Sequence, residues 1–503
     1  MAVKHVSKPF WAVQYHPESV RTEGGGEDVV RNWWKLADLW SMVNGREVQP
    51  WNEEVSGIIG PAWPHIHPSL VLSQPSTPTV EYARVSTRVL EALDLDLPTV
   101  CEFLGVNEES KDFVMLESAA QPGRFTIIGC LHASSPRITY RRGQGKVSVT
   151  TGVDETSYGV DGDIWTWLSN YMREKRAFGG ENSIPFWGGL VGFLSYELGV
   201  QSLCPSLTRD PKSSGKHHDL NFSFVERSIV IDSLTGRTFV QSLLSDDETW
   251  LSEMEAQLRT LSTASSPKDQ AAQTPKRRRT AESSASPTVI LPNREDYIDH
   301  IKRAQEFLYS GDSYELCLTA PTHVRVPPEQ EASGSSSWKL YETLRQRNPA
   351  PHSAYLRLHP STMVCSSPER FLSFSRPPDG VCQLRPIKGT VRKGPGITRA
   401  VAEEALIGSV KEVAENLMIV DLIRHDLHSV VGDDVDVKQF CVVEEYETVW
   451  QLVSVIEGRL PGDAELDSGS NLGWEVLRHS LPPGEFFIFL SIGVTLTGHV
   501  PFL

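Results

Sequence analysis

The sequence predicts an α+β protein, and three observations carry that prediction. Residues 81–245 are dense in β-branched and aromatic runs, such as Phe125-Thr126-Ile127-Ile128 and Ser228-Ile229-Val230-Ile231, separated by glycine-containing turns. After residue 291 the pattern changes to a helix over 294–309, strands around 314–325 and 352–375, and an amphipathic helix near 398–417. Between them, residues 262–287 lack apolar periodicity and read as a disordered insert. At 503 residues the chain exceeds the roughly 250–300 at which one hydrophobic core stops growing, so more than one packed unit is expected.

Taken in order, the first element is a short apolar run, Phe10-Trp11-Ala12-Val13-Gln14-Tyr15, which reads as a strand ended by His16-Pro17-Glu18-Ser19. Val29, Val30, Trp33, Trp34, Ala37 and Trp40 then recur at helical spacing, so residues 27–43 form an amphipathic helix with a face to dock. Residues 46–80 are rich in proline and serine and read as a linker. The basic run Lys276-Arg277-Arg278-Arg279 reads as a solvated part of the insert rather than a nuclear signal.

Composition narrows the function classes. Hydrophobic residues at 39% and charged residues at 22% describe a globular chain. A formal charge of -16 repels polyanions, which argues against nucleic acid or an anionic membrane as the main partner, and means that an anionic substrate needs local help. The seven cysteines form no CxxC pair and leave one over, which suits free thiols in a reducing compartment. Lys4, His5 and Lys8 follow Met1 without an apolar stretch, so no secretory signal is visible and the cytoplasm is the expected location. The longest apolar run, residues 486–494, is about half of the ~20 residues a membrane span needs.

Six segments carry the chemistry. They are Met115-Leu116-Glu117-Ser118; Pro185-Phe186-Trp187-Gly188-Gly189 with Tyr196-Glu197; Gly311-Asp312-Ser313-Tyr314-Glu315-Leu316; Ser367-Pro368-Glu369-Arg370-Phe371; Pro386-Ile387-Lys388-Gly389-Thr390; and Glu415-Asn416-Leu417-Met418-Ile419-Val420-Asp421-Leu422. Lys388 reads as part of a short turn between Pro386 and Gly389, able to aim an amine into a cleft. Glu369 reads either as a buried acid near neutral pH or as the salt-bridge partner of Arg370 or another base. Glu412 and Glu415 lie three apart on a helix, so their carboxylates share a face, either solvated or gathered round a cation.

In this order the segments resemble the anthranilate synthase, aminodeoxychorismate synthase and isochorismate synthase family, the chorismate-utilising enzymes, over roughly residues 80–484. The resemblance implies an anthranilate synthase component I-like fold, with β-sheets in a sandwich-like core and helices outside. It implies chorismate as substrate and Mg2+ as cofactor, with Glu415 as the direct ligand and Glu412 nearby, in keeping with that ion's taste for a few carboxylates and an anionic substrate. Lysine at 388, where the anthranilate branch carries alanine, implies covalent addition at C2 and amination at C4 to give 4-amino-4-deoxychorismate for p-aminobenzoate and folate synthesis. Glu369 stands at the position of the acid for the departing hydroxyl, and Gly389 and Thr390 complete a substrate-binding segment.

Departures from the pattern matter equally. Gln451, in Trp450-Gln451-Leu452-Val453-Ser454, occupies a place where relatives carry an acid/base histidine; the lysine route dispenses with it, or the site is weakened. His425 stands where asparagine is common and is assigned no role. Leu116, Glu117 and Ser118 mark either a tryptophan pocket or a plain core strand. His16 and Glu18 resemble the base and its orienting glutamate at the end of a class I glutamine amidotransferase, so glutamine-derived ammonia from a glutaminase fused in cis is implied.

The expected layout is an amidotransferase remnant (1–45), a linker (46–80), a β-rich half (81–261), the insert (262–290), a catalytic half (291–484) and an aberrant apolar tail (485–503). The tail replaces the family's second glutamate pair and carboxylate-binding arginine, which implies impaired activity. Gly484-Glu485-Phe486 can be encoded by GGT GAG TT, which contains a splice-donor sequence, so a retained intron is hypothesised; transcript sequencing tests it. The alternatives in function are anthranilate synthase component I and an inactive chorismate-family scaffold.

Overall fold

The computed structural model describes residues 2–4, 11–13, 26–43, 83–91, 93–120, 123–160, 163–203, 217–264, 287–311, 316, 318–325, 336–375, 380–460, 472–481 and 490–494. Two compact units divide the chain, Met1–Thr79 and Val80–Leu503. In the first, Ala2–Lys4 pairs antiparallel with Trp11–Val13, and Gly26–Val43 is a helix on which Trp34 is 68% exposed. His16, Glu18 and the linker lie outside the described residues.

The second unit is built on a seven-stranded sheet. Its order is Ser361–Ser367, His352–Leu358, Phe113–Glu117, Phe125–Gly129, Arg227–Asp232, Arg237–Ser242 and Ser86–Leu90, every neighbour antiparallel. Successive side chains alternate between its faces, as pleating requires. Val114, Leu116, Ile127, Val230 and Phe239 enter one core, while Phe113, Met115, Ile128, Ile229 and Val240 enter another.

The first core is closed by a six-stranded sheet through Ile138, Leu190, Phe222 and Phe224, so the two sheets form a sandwich. The second is closed by helices: Leu97–Phe103 through Val100, Glu248–Ala264 through Leu251 and Leu258, and Ser336–Arg347 through Trp338 and Tyr341. Each such buried large apolar side chain contributes ~1.5–3 kcal/mol. This α+β arrangement, a sandwich with helices on an outer face, is the expected fold class.

Three expectations are corrected. The insert does not separate the sheets: His352–Leu358 comes from beyond it, yet hydrogen-bonds onto Phe113–Glu117, and Ser361–Ser367 adds to its other edge. Residue 262 itself belongs to the helix Glu248–Ala264, where the Ser262 hydroxyl accepts the Asp94 N–H, and most of the insert lies outside the described residues. The helix near 398–417 is two helices, Arg399–Ile407 and Val410–Val431, because the Ser409 hydroxyl accepts the Glu412 N–H and starts a new helix. In the apolar tail, Leu490–Val494 is a strand paired with Gly189–Leu194 at the sandwich edge.

A third sheet carries the catalytic candidates. The long strand Val449–Arg459 is flanked by Val435–Glu445, by Ile387–Arg392 and by Val381–Leu384, the last continuing to Leu372–Phe374. Both helices after residue 398 pack on this sheet, through Ala402 and Leu406 on one and Val420 and Leu427 on the other. Cys101, Cys130, Cys365, Cys382 and Cys441 are free thiols. No helix among the described residues is long and apolar enough to cross a membrane.

Candidate active site

Lys388 lies not in a turn but in the strand Ile387–Arg392, at a break in its register. Ile387 pairs with Val453 and Thr390 with Gln451, which leaves Lys388 and Gly389 opposite Leu452 alone. Such a bulge re-aims a side chain without ending the strand. Gly389 has φ +84, and a Cβ there would sit 2.9 Å from Glu412 Oε2 and 2.9 Å from Leu406 Cδ2. Only glycine lets the lysine strand meet the helix Val410–Val431 this closely.

Glu369 approaches the same bulge from the loop after Ser361–Ser367. Its N–H is held by the Ser367 hydroxyl at 3.2 Å, and its Oε1 accepts the Ile387 N–H at 3.0 Å. Burial pushes its carboxyl up to about 7; the Ile387 hydrogen bond and the Lys388 charge pull the other way but are outweighed. A carboxyl at that value is part protonated at neutral pH and can donate a proton to a leaving group. Arg370 does not take Glu369 as partner. It donates to Gln383 instead, which in turn donates to Glu457 at 2.6 Å.

Glu412 and Glu415 occupy the first two turns of Val410–Val431, after the Ser409 cap. Both carboxylates face the Lys411 ammonium, at 3.6 Å and 3.2 Å, so a cation already sits against the pair. Lys411 is itself 73% exposed and free to swing into solvent. One residue on, Asn416 is fully buried, and its Oδ1 accepts the Ser454 hydroxyl, which also accepts the Cys441 N–H at 3.0 Å. This fastens the glutamate helix to the long strand. Glu369, Lys388, Gly389 and Glu412 therefore converge, Glu415 joins through Lys411, and Thr390 joins Gln451, whose Nε2 donates to its hydroxyl at 3.4 Å.

A family model described as "chorismate binding enzyme" matches residues 113–485. The chain belongs to the chorismate-binding enzymes. Among curated members, the aminodeoxychorismate synthase of Saccharomyces cerevisiae (strain ATCC 204508 / S288c) is 33% identical, over 96% of this chain and 63% of that protein. A putative aminodeoxychorismate synthase of Schizosaccharomyces pombe (strain 972 / ATCC 24843) is 29% identical, over 96% of this chain and 64% of that one. The chain thus spans a little under two thirds of the length of these relatives. The crystal structure of anthranilate synthase component I from Streptococcus pneumoniae TIGR4 matches with a TM-score of 0.54 at 19% identity, over 82% of this chain and 89% of that one, a likeness of fold.

Against this chorismate-binding frame, Leu116, Glu117 and Ser118 stand apart from the lysine site, on the seven-stranded sheet. All five residues of Phe113–Glu117 are buried. The Glu117 carboxylate is claimed by Tyr341 Oη and Arg345 Nε, each at 2.6 Å, and the Ser118 N–H bonds the Phe125 carbonyl at 3.1 Å. That is the geometry of a core strand.

Sequence reasoning gave no role to several groups on the elements that carry the site. Asn416 and Ser454 stood inside quoted motifs, but their bond joins residues 38 apart. Asp426, on the glutamate helix, has its carboxyl pushed by burial up to about 7. Arg385 grips Glu444 through both carboxylate oxygens, at 2.6 and 2.8 Å. His425 is exposed.

Proposed function

We propose that this chain carries the synthase activity of an aminodeoxychorismate synthase, amination of chorismate at C4. The observation that carries this is the lysine bulge beside a buried carboxyl: Lys388 displaced from strand register, next to Glu369 held by the Ile387 N–H.

In this reading the Lys388 amine forms a C–N bond at C2 while the C4–O bond breaks and the ring double bonds shift. The Glu369 proton goes to the departing hydroxyl, which leaves as water. Ammonia then forms the C4–N bond, the C2–N bond to Lys388 breaks, and one ammonia proton returns to the site. Gly389 keeps the strand against the helix, and Thr390 lines the substrate segment. Glu412 and Glu415 would hold Mg2+, which when bound supplies positive charge to an anionic substrate group; two carboxylates already gathered on an ammonium suit that ion. His16 and Glu18 belong in this reading to a glutaminase fused in cis that supplies the ammonia, and the protein works in the cytoplasm.

Incubation with chorismate, an ammonium salt and Mg2+, with products read by liquid chromatography and mass spectrometry, tests the proposal. Aminodeoxychorismate without pyruvate is expected, and Lys388→Ala should lower its formation by at least about a thousandfold. Anthranilate with equimolar pyruvate, or no turnover and no chorismate binding, would overturn it.

A further inference from the structure

An arginine follows Glu369 directly in the chain, and such a neighbour endangers an acid. A guanidinium against a carboxyl lowers its proton affinity by about one to three pH units. Burial instead holds the Glu369 carboxyl up to about 7, against the Ile387 N–H and, among the charges of the described residues, Lys388. Arg370 is itself poorly settled. Its Nε is buried without a hydrogen-bond partner. Burial, followed by the Arg385 charge, lowers its guanidinium to about 10, while Tyr446, Glu444 and Glu457 pull the other way. Glu444 is already occupied by Arg385 through both oxygens and by the Tyr446 hydroxyl. His352, which burial and then Arg370 and Arg385 push down to about 4, is neutral at pH 7 and brings no negative charge.

A carboxamide is what holds Arg370. Its Nη2 donates to Gln383 Oε1, and Gln383 Nε2 donates to Glu457 Oε1 at 2.6 Å. Gln383 and Glu457 are paired in register on Val381–Leu384 and Val449–Arg459, so the backbone ladder fixes the anchor. A guanidinium only donates and an ionised carboxylate only accepts, so the side chain between them must accept at one end and donate at the other. Glutamine does both, and in one orientation only. Leucine in its place would make neither bond, and glutamate would set a second negative charge against Glu457.

We infer that Gln383 is a positioning residue: by bridging Arg370 to Glu457 it withholds the guanidinium from Glu369, which therefore keeps the proton it gives to the leaving group. The inference rests on the C4-amination reading for the use of that proton, and on the hydrogen-bond chain for its control. Glu457 shares the task as the anchor of the carboxamide. An acid and an arginine can then be adjacent in sequence without pairing in space.

The experiment reads the Glu369 titration directly in the full chain, as the infrared band of a protonated carboxyl that Glu369→Gln abolishes. It compares wild type, Gln383→Leu, Arg370→Met and the double variant. The wild-type midpoint is expected near pH 7, and the Gln383→Leu midpoint about one to three pH units lower, because the released guanidinium pairs with the carboxylate. Arg370→Met, alone or combined with Gln383→Leu, should stay within about half a pH unit of wild type. Turnover of chorismate at constant free ammonia should follow. Its rate falls as pH rises through the Glu369 midpoint, so at about pH 7.5 Gln383→Leu should be roughly tenfold or more slower, and the double variant should recover. A wild-type midpoint in the ordinary carboxylate range would overturn the inference. So would an unmoved midpoint in Gln383→Leu, or a lowered one that Arg370→Met does not restore. Loss of the native circular-dichroism spectrum in both Gln383→Leu and the double variant would make Gln383 a folding residue and overturn it too. The expected midpoints in a chain that does not aminate chorismate would support the positioning role and overturn the C4-amination reading.

Discussion

Glu117 and Glu369 both hold their carboxyls out of water, Glu117 as a buried residue and Glu369 as a half-buried one, and they are treated in opposite ways. Glu117 meets a guanidinium at 2.6 Å and a phenol at 2.6 Å, so both of its oxygens are matched by strong donors. Glu369 meets one backbone N–H, and burial raises its carboxyl to about 7. Arg370, its sequence neighbour, turns to Gln383. Burial alone therefore does not make an acid: the partner set decides whether a carboxylate is a fastening or a proton store. The fastening ties Ser336–Arg347 to the sheet, whereas the proton store faces the lysine bulge.

Glu369→Gln should lower turnover by about 10²–10⁴-fold, the usual range for losing a general acid, in a steady-state assay with chorismate and ammonium. The same change should raise stability at neutral pH. The folded value of about 7 exceeds the unfolded carboxylate value of roughly 4.3, so the wild type has its full stability below about pH 4 and loses it as pH rises toward 7. Melting curves of wild type and variant should coincide at pH 4 and separate, variant higher, by pH 8; a variant that melts lower at pH 8 would contradict this.

Glu117→Gln should do the reverse. It leaves Arg345, whose side chain is about one third exposed, without its counter-charge, at a cost of roughly 2–3 kcal/mol by urea unfolding, with chorismate affinity unchanged. Gly389→Ala tests how tightly the lysine strand and the glutamate helix are set. The left-handed backbone and the approach of Glu412 predict a loss of about 1–2 kcal/mol together with weaker Mg2+ activation, read from unfolding and from activity against Mg2+ concentration. The smallest effect is expected at Lys411, which competes for the two carboxylates from an exposed position. Lys411→Ala should shift the half-activating Mg2+ concentration downward by about twofold, and an upward shift would mean that Lys411 assists the site.

Local chemistry was legible in the sequence, and distant pairing was not. The helix over 294–309 is found as Arg294–Ser310, with Asn293 capping its first turn and Gly311 closing it at φ 83. The division at Ser409 was readable too, since Ser409-x-x-Glu412 is a capping signature, but continuous apolar spacing masked it. Glu369 and Lys388 stood out through their motifs, yet the geometry between them depends on a register shift that no spacing announces. Arg345 and Glu117 are 228 residues apart, and nothing along the chain marks them as partners. The same holds for His352–Leu358, whose alternating pattern says that it is a strand but not which sheet it joins.

That last strand has a consequence for biosynthesis. Phe113–Glu117, buried on both faces, has Phe125–Gly129 on one side and His352–Leu358 on the other. A ribosome adds more than two hundred residues between Gly129 and His352. At about 5–20 residues per second, one edge of this apolar strand waits on the order of ten seconds or more for its neighbour. An unpaired hydrophobic edge on a nascent chain is a target for chaperones and for other nascent copies, so the yield of active protein should depend on translation speed and on holdase supply more than the stability of the finished sandwich would suggest.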